Sequence, residues 1–128
     1  MTLAEGMILA AVLLYLLTVA PVKAIGFRRF DNANPREPTF YRSGIEQRAL
    51  GAHQNGIETF PFFAAAVLLA EFRHTSQTTI DVLAAGFVAL RVLYVLAYLA
   101  DRPTARTLLW NAGFAVNVAI FLAPWWGR

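Results

Sequence analysis

The chain has no cysteine. Disulfides and thiolate metal sites are therefore excluded, and the redox compartment cannot be read from it. Charge is also scarce: 15% of the 128 residues are charged, against 58% hydrophobic. So little charge on so apolar a chain argues against disorder. A soluble domain of this length could not cover that much apolar surface, and the mean hydropathy of +0.51 points to a membrane. No internal repeat and no low-complexity segment occurs. Neither Lys nor Arg precedes Lys23, so the apolar N-terminal run lacks the basic start of a signal peptide. The length fits one domain, residues 1–128. The net charge of +3 sits in loops beside apolar runs. That placement fits an anionic membrane surface better than nucleic acid.

What is present is four apolar runs. The first, from Leu3 to about Val22, has Glu5 as its one charge. It approaches the ~20 residues needed to span a bilayer core. Lys23 to Arg42 reads as a loop, broken by Pro35 and Pro38, with Phe27, Phe30, Phe40 and Tyr41 among its cations. The second run extends from Gly44 to Phe72, with Ser43 and Glu46 as a capping box. Thr78 and Asp81 suggest a second box before a third helix over 79–100. Pro103 suits the first turn of a fourth helix that runs to about Trp125. Trp125, Trp126 and Arg128 read as an interfacial anchor. The fold class predicted is an all-α membrane protein, an antiparallel bundle of four transmembrane helices.

The second run carries more polar groups than a membrane helix holds cheaply. At about 100° per residue, Arg48, Gly51, Ala52, Asn55, Glu58 and Phe62 share one face. A kink is expected at Pro61, just beyond that face. The third run is apolar except for Arg91, Tyr94 and Tyr98, which share a face with Phe87. The fourth has a stripe of Arg106, Trp110, Gly113 and Asn117. Intramembrane ionisable residues mark functional sites by default, and an unpaired arginine near the bilayer centre costs ~3 kcal/mol. Glu58, the one acid deep within a span, is the expected counter-ion of Arg91. His53 lies off this face and reads either as a packing histidine or as a ligand that only His74 could join.

Three polar stripes need more cover than one bundle gives, which predicts that the chain associates with further copies. Orientation follows from the cations. Lys23, Arg28, Arg29, Arg36, Arg42 and Arg48 lie at one side with Arg102 and Arg106, and Arg73 and Arg128 at the other. The positive-inside rule puts both termini outside and the polar patch toward the cytoplasm.

The spacing of Arg48, Ala49, Ala52, His53, Asn55, Glu58, Pro61 and Phe63 resembles the signature of the MAPEG family, the membrane-associated proteins of eicosanoid and glutathione metabolism. Arg91, Tyr94 and Tyr98, followed by a basic loop and Arg106, are similar to its second signature. Asn34 and Pro35 in the first connection also fit, and the short loops resemble those of bacterial members. The resemblance covers essentially the whole chain. It implies a homotrimer of four-helix subunits in a cytoplasmic membrane if bacterial. It implies glutathione bound between subunits near the cytoplasmic side, and lipophilic electrophiles or lipid hydroperoxides as second substrates. By this resemblance Arg106, with Thr107 beside it, faces the sulfur as the catalytic cation. Asn55 and Glu58 hold the glutathione peptide, Tyr98 hydrogen-bonds it, and Arg91 sits in the polar core. Arg48, Tyr94 and Trp110 complete the expected binding set.

Three departures stand out. Catalytic members usually carry an arginine at the position of Gly51, often a basic residue at Gln54, and in some a tyrosine at Trp110. Each charge-assisted contact contributes about 1.5–3 kcal/mol, so losing two cations weakens glutathione capture tenfold or more. A non-catalytic lipid-binding or scaffold member is therefore the alternative. A small transporter with Glu58 as proton carrier is a third reading, disfavoured by the lack of an inverted repeat.

Overall fold

The computed structural model describes residues 1–127; Arg128, the last residue of the expected anchor, lies outside the described residues. Four helices succeed one another: α1 (Leu3–Ile25), α2 (Gly44–Phe72), α3 (Gln77–Leu99) and α4 (Pro103–Trp126). Short 3-10 turns at Phe27–Arg29 and Pro38–Phe40 shape the first connection. No strand occurs among the described residues. Helices α1, α3 and α4 are long and apolar enough to cross a membrane. Helix α2 is the longest, at 29 residues, but its polar first half keeps it outside that group.

The ends of the helices have local causes. Ser43 and Glu46 form the expected capping box at α2. Thr2 and Glu5 form another at α1. Pro103 opens α4, where its missing N–H costs nothing. The box expected from Thr78 and Asp81 does not form. Helix α3 starts earlier, at Gln77, with Ser76 as a cap that makes no side-chain hydrogen bond. The Asp81 carboxylate instead accepts from the backbone N–H of Ala4 (2.9 Å) and from Gln77 Nε2 (2.9 Å). Asp81 thus caps α1, a helix far away in sequence. Helix α2 stays helical through Pro61, the residue at which the sequence predicts a kink.

Hydrogen bonds between helix ends set the up-down-up-down order. At one end, Thr2 Oγ1 donates to Glu71 Oε1 (2.9 Å), and Ser76 N–H donates to the Gly127 carbonyl (2.8 Å). At the other, Arg29 pairs with Glu46 (2.8 Å), and Arg48 Nε donates to the Leu99 carbonyl (3.2 Å). The core is filled by Ala4, Ala11, Tyr15, Phe63, Ala66, Ile80, Ala84 and Ile120. Small residues let the backbones approach closely, as membrane helices require. Gly56 shows the need: a Cβ there would collide with the Tyr15 ring. Large apolar side chains such as Leu13, Leu17, Leu93, Leu96 and Phe121 face outward. The fold is a helical membrane bundle with one polar seam along α2.

Candidate functional site

The seam is built where the polar face of α2 meets α3 and α4. Arg91, on α3, is only 3% exposed. Its Nη2 donates to Asn55 Oδ1 of α2 (2.9 Å). Its guanidinium lies 4.2 Å from the Tyr94 ring centre and 5.8 Å from that of Tyr15. The charge is thus held by one amide oxygen and two aromatic faces, which suit a weakly hydrated, planar cation. The ion pair expected between Arg91 and Glu58 does not form among the described residues. Glu58 sits about 60° round the helix from Asn55, exposed at the rim rather than facing inward.

Two cavities open along the seam. The larger, about 280 Å³, is lined by Asn55, Glu58, Phe87, Arg91, Trp110 and Asn117 among others. The smaller, about 150 Å³, is formed by Tyr94, Arg106, Thr107 and Trp110. Trp110 is a wall of both. Arg106 lies in the first turns of α4, half-buried, with its guanidinium 4.5 Å from the Tyr98 ring centre. Tyr98 in turn meets Tyr94 edge-on, with centroids 5.7 Å apart. No carboxylate pairs with Arg106 among the described residues. A cation beside a small cavity, held by a ring face and close to a helix N-terminus, can stabilise an anion there.

A family model for MAPEG proteins matches residues 3–126. The chain belongs to the MAPEG family. Among curated proteins and among solved structures, none matches it significantly.

This MAPEG chain brings together Asn55, Arg91, Tyr94, Tyr98, Arg106, Thr107 and Trp110, with Glu58 at the rim. Arg48 stands apart. Its Nε donates to the Leu99 carbonyl, and its Nη1 lies 3.8 Å from Asp101 Oδ2. It therefore caps the C-terminus of α3, whose last carbonyls lack helical partners. Thr107 Oγ1 donates back to the Pro103 carbonyl (3.0 Å). Trp110 stacks on Phe114, with planes 2° apart. His53 Nδ1 bonds the Tyr15 carbonyl (2.8 Å) and packs α2 against α1. Tyr15 is the site residue that the sequence hides: it lies in an apolar run, and no spacing within α1 points to Arg91. Asn117 belongs to the predicted stripe of α4, and its place in the larger cavity was legible from that spacing.

Proposed function

We propose that this MAPEG chain is a glutathione-dependent membrane transferase or peroxidase. Its substrates would be lipophilic electrophiles or lipid hydroperoxides, attacked by a thiolate. The observation that carries this reading is Arg106, a half-buried guanidinium beside a cavity with no acidic partner among the described residues. The chain supplies no thiol of its own. A thiol titrates near 8.5, so only about 3% is ionised at pH 7. A neighbouring guanidinium that brings this to about 6.5 raises the ionised fraction to roughly three quarters. The proton leaves to solvent, and the sulfur then bonds to the electrophilic carbon of a partner from the bilayer. The partner's leaving group departs, or its displaced electron pair takes a proton. With a hydroperoxide the O–O bond breaks to an alcohol, and a second thiol converts the resulting sulfenic acid to a disulfide and water.

The residues present fit a zwitterionic thiol such as glutathione. Arg106, backed by the Tyr98 ring, offers a cation, and the exposed Glu58 carboxylate an anion for an ammonium group. The reading includes a homotrimer, four membrane spans with α2 as the polar one, both termini outside, and the seam open to the cytoplasm. A second reading, a non-catalytic lipid-binding member, is favoured by Gly51. There the Tyr98 hydroxyl fills the space that a larger side chain would take. Thermal shift in detergent separates the two. Stabilisation by glutathione, with conjugation that fails in Arg106→Leu, supports the enzyme. Neither binding nor turnover supports the scaffold.

A further inference from the structure

A groove of about 560 Å³ lies between α1, the start of α2 and the end of α3. It shares no wall residue with the cavities of the seam. Leu17, Val22 and Ile25 of α1, Ile45 of α2, and Val95 and Leu99 of α3 line it. Leu17, Ile25 and Ile45 are exposed, so the groove opens on the outside of the bundle. The polar groups on its walls are already engaged. Thr18 Oγ1 donates to the Leu14 carbonyl (2.7 Å), and Ser43 Oγ accepts from the Glu46 N–H (3.3 Å). The Glu46 carboxylate takes the Arg29 guanidinium and the N–H groups of Arg42 and Ser43. Such walls suit a hydrocarbon chain.

The mouth of the groove carries surplus positive charge. Arg29 neutralises Glu46 on the wall (2.8 Å), and the Arg42 N–H meets the same carboxylate (2.6 Å). Lys23 Nζ lies 5.4 Å from the centre of the Phe30 ring, and Phe30 and the wall residue Val22 both pack on the cluster of Phe40 and Tyr41. No carboxylate pairs with Lys23 or Arg42 among the described residues. The other acids of this connection are held within it. Asp31 accepts from the Ala33 N–H and Asn34 Nδ2, and Glu37 from the Thr39 N–H. An apolar groove with free cations at one end complements an amphiphile with an anionic head. A lipid gains little hydrophobic energy by exchanging lipid neighbours for protein, so selection comes from the head. We propose that this groove holds one acyl chain of an anionic glycerophospholipid, whose phosphate lies against Lys23 and Arg42. The inference goes beyond the thiol reading and does not depend on it.

The test is native mass spectrometry of the full chain. The protein is released from micelles that hold phosphatidylglycerol and phosphatidylcholine with the same acyl chains at equal mole fraction. Wild type should retain phosphatidylglycerol over phosphatidylcholine by about tenfold or more, at about fivefold per cation. Lys23→Gln combined with Arg42→Gln leaves the backbone N–H of residue 42 in place and should bring the two lipids close to equality. Leu17→Trp fills the groove from an exposed position and should release both lipids; Ile45→Trp does the same from α2 should the first variant fail to fold. Equal retention in wild type, a preference that survives the double charge change, or retention unaltered by the wall variants would each overturn the proposal. Retention of neither lipid by wild type would mean that a second copy of the chain covers the groove, and would overturn it as well.

Discussion

Tyr98 and Gly51 interlock. The Tyr98 hydroxyl lies so close to α2 that a single Cβ at Gly51 would collide with it. The Tyr98 ring also carries the Arg106 guanidinium, 4.5 Å from its centre. A glycine on α2 therefore helps to set where a cation on α4 rests.

The interlock predicts a change of sign. In a helix, Gly→Ala ordinarily stabilises by about 1 kcal/mol. Here Gly51→Ala must displace Tyr98, and overpacking costs about 1–3 kcal/mol. We expect Gly51→Ala to destabilise wild type, or at best leave it unchanged, yet to stabilise a Tyr98→Ala background. Unfolding in mixed detergent measures both. An equal gain in the two backgrounds would show that the contact carries no energy.

Asn55→Leu should expose the dependence of Arg91 on its one hydrogen bond. A hydrogen bond to a charged group contributes about 1.5–3 kcal/mol, and we expect a loss of that size. The same unfolding assay reads it. A loss below about 0.5 kcal/mol, the level of an ordinary surface change, would mean that the rings alone hold the guanidinium.

The Glu46 cap predicts a response to acid. Its carboxylate accepts from the Ser43 N–H (2.9 Å), the Arg29 guanidinium (2.8 Å) and the Arg42 N–H (2.6 Å). These contacts hold its pKa at about 2, against an ordinary 4.5. A carboxylate lowered on folding stabilises above its unfolded pKa and loses that contribution as pH falls through the folded one. The loss therefore falls between about 4.5 and about 2. Carbon NMR of the Glu46 carboxyl follows it, and Glu46→Gln should lack that step. Titration of Glu46 near its ordinary value would contradict the cap.

The proposed topology has both termini outside. Asn32 is exposed in the first connection, and a cysteine there should resist impermeant thiol reagents in intact cells. Thr75 in the α2–α3 turn is a poor site for the opposite label, being 7% exposed. The exposed Thr78 serves instead, and Thr78→Cys should react. The reverse pattern would invert the orientation.

Local signals were legible in the sequence, and those crossing between helices were not. Ser43 and Glu46 cap their own helix because nothing else claims the carboxylate of Glu46 except Arg29 and a neighbouring amide. Thr78 and Asp81 show the same spacing, but the N-terminus of α1 takes the Asp81 carboxylate. Stripe periodicity placed Arg91, Tyr94 and Tyr98 on one face, and the cation–ring and edge-on ring contacts among them follow from it. It paired Arg91 with Glu58 on charge alone. The α2 rotation that turns Asn55 inward and Glu58 to the rim depends on how α1, α3 and α4 pack around it. Arg48 was read with the polar face, yet its reach to Leu99 depends on where α3 ends.

The central claim is that Arg106 holds a thiolate. The most direct measurement is the ultraviolet absorbance of glutathione bound to the protein, titrated across neutral pH. The account predicts a thiolate band already strong at pH 7, in line with a thiol brought to about 6.5 from about 8.5. In Arg106→Leu, with fold and assembly unchanged, that band should appear only near the ordinary thiol range. A bound thiol that ionises near 8.5 in both proteins would contradict the claim.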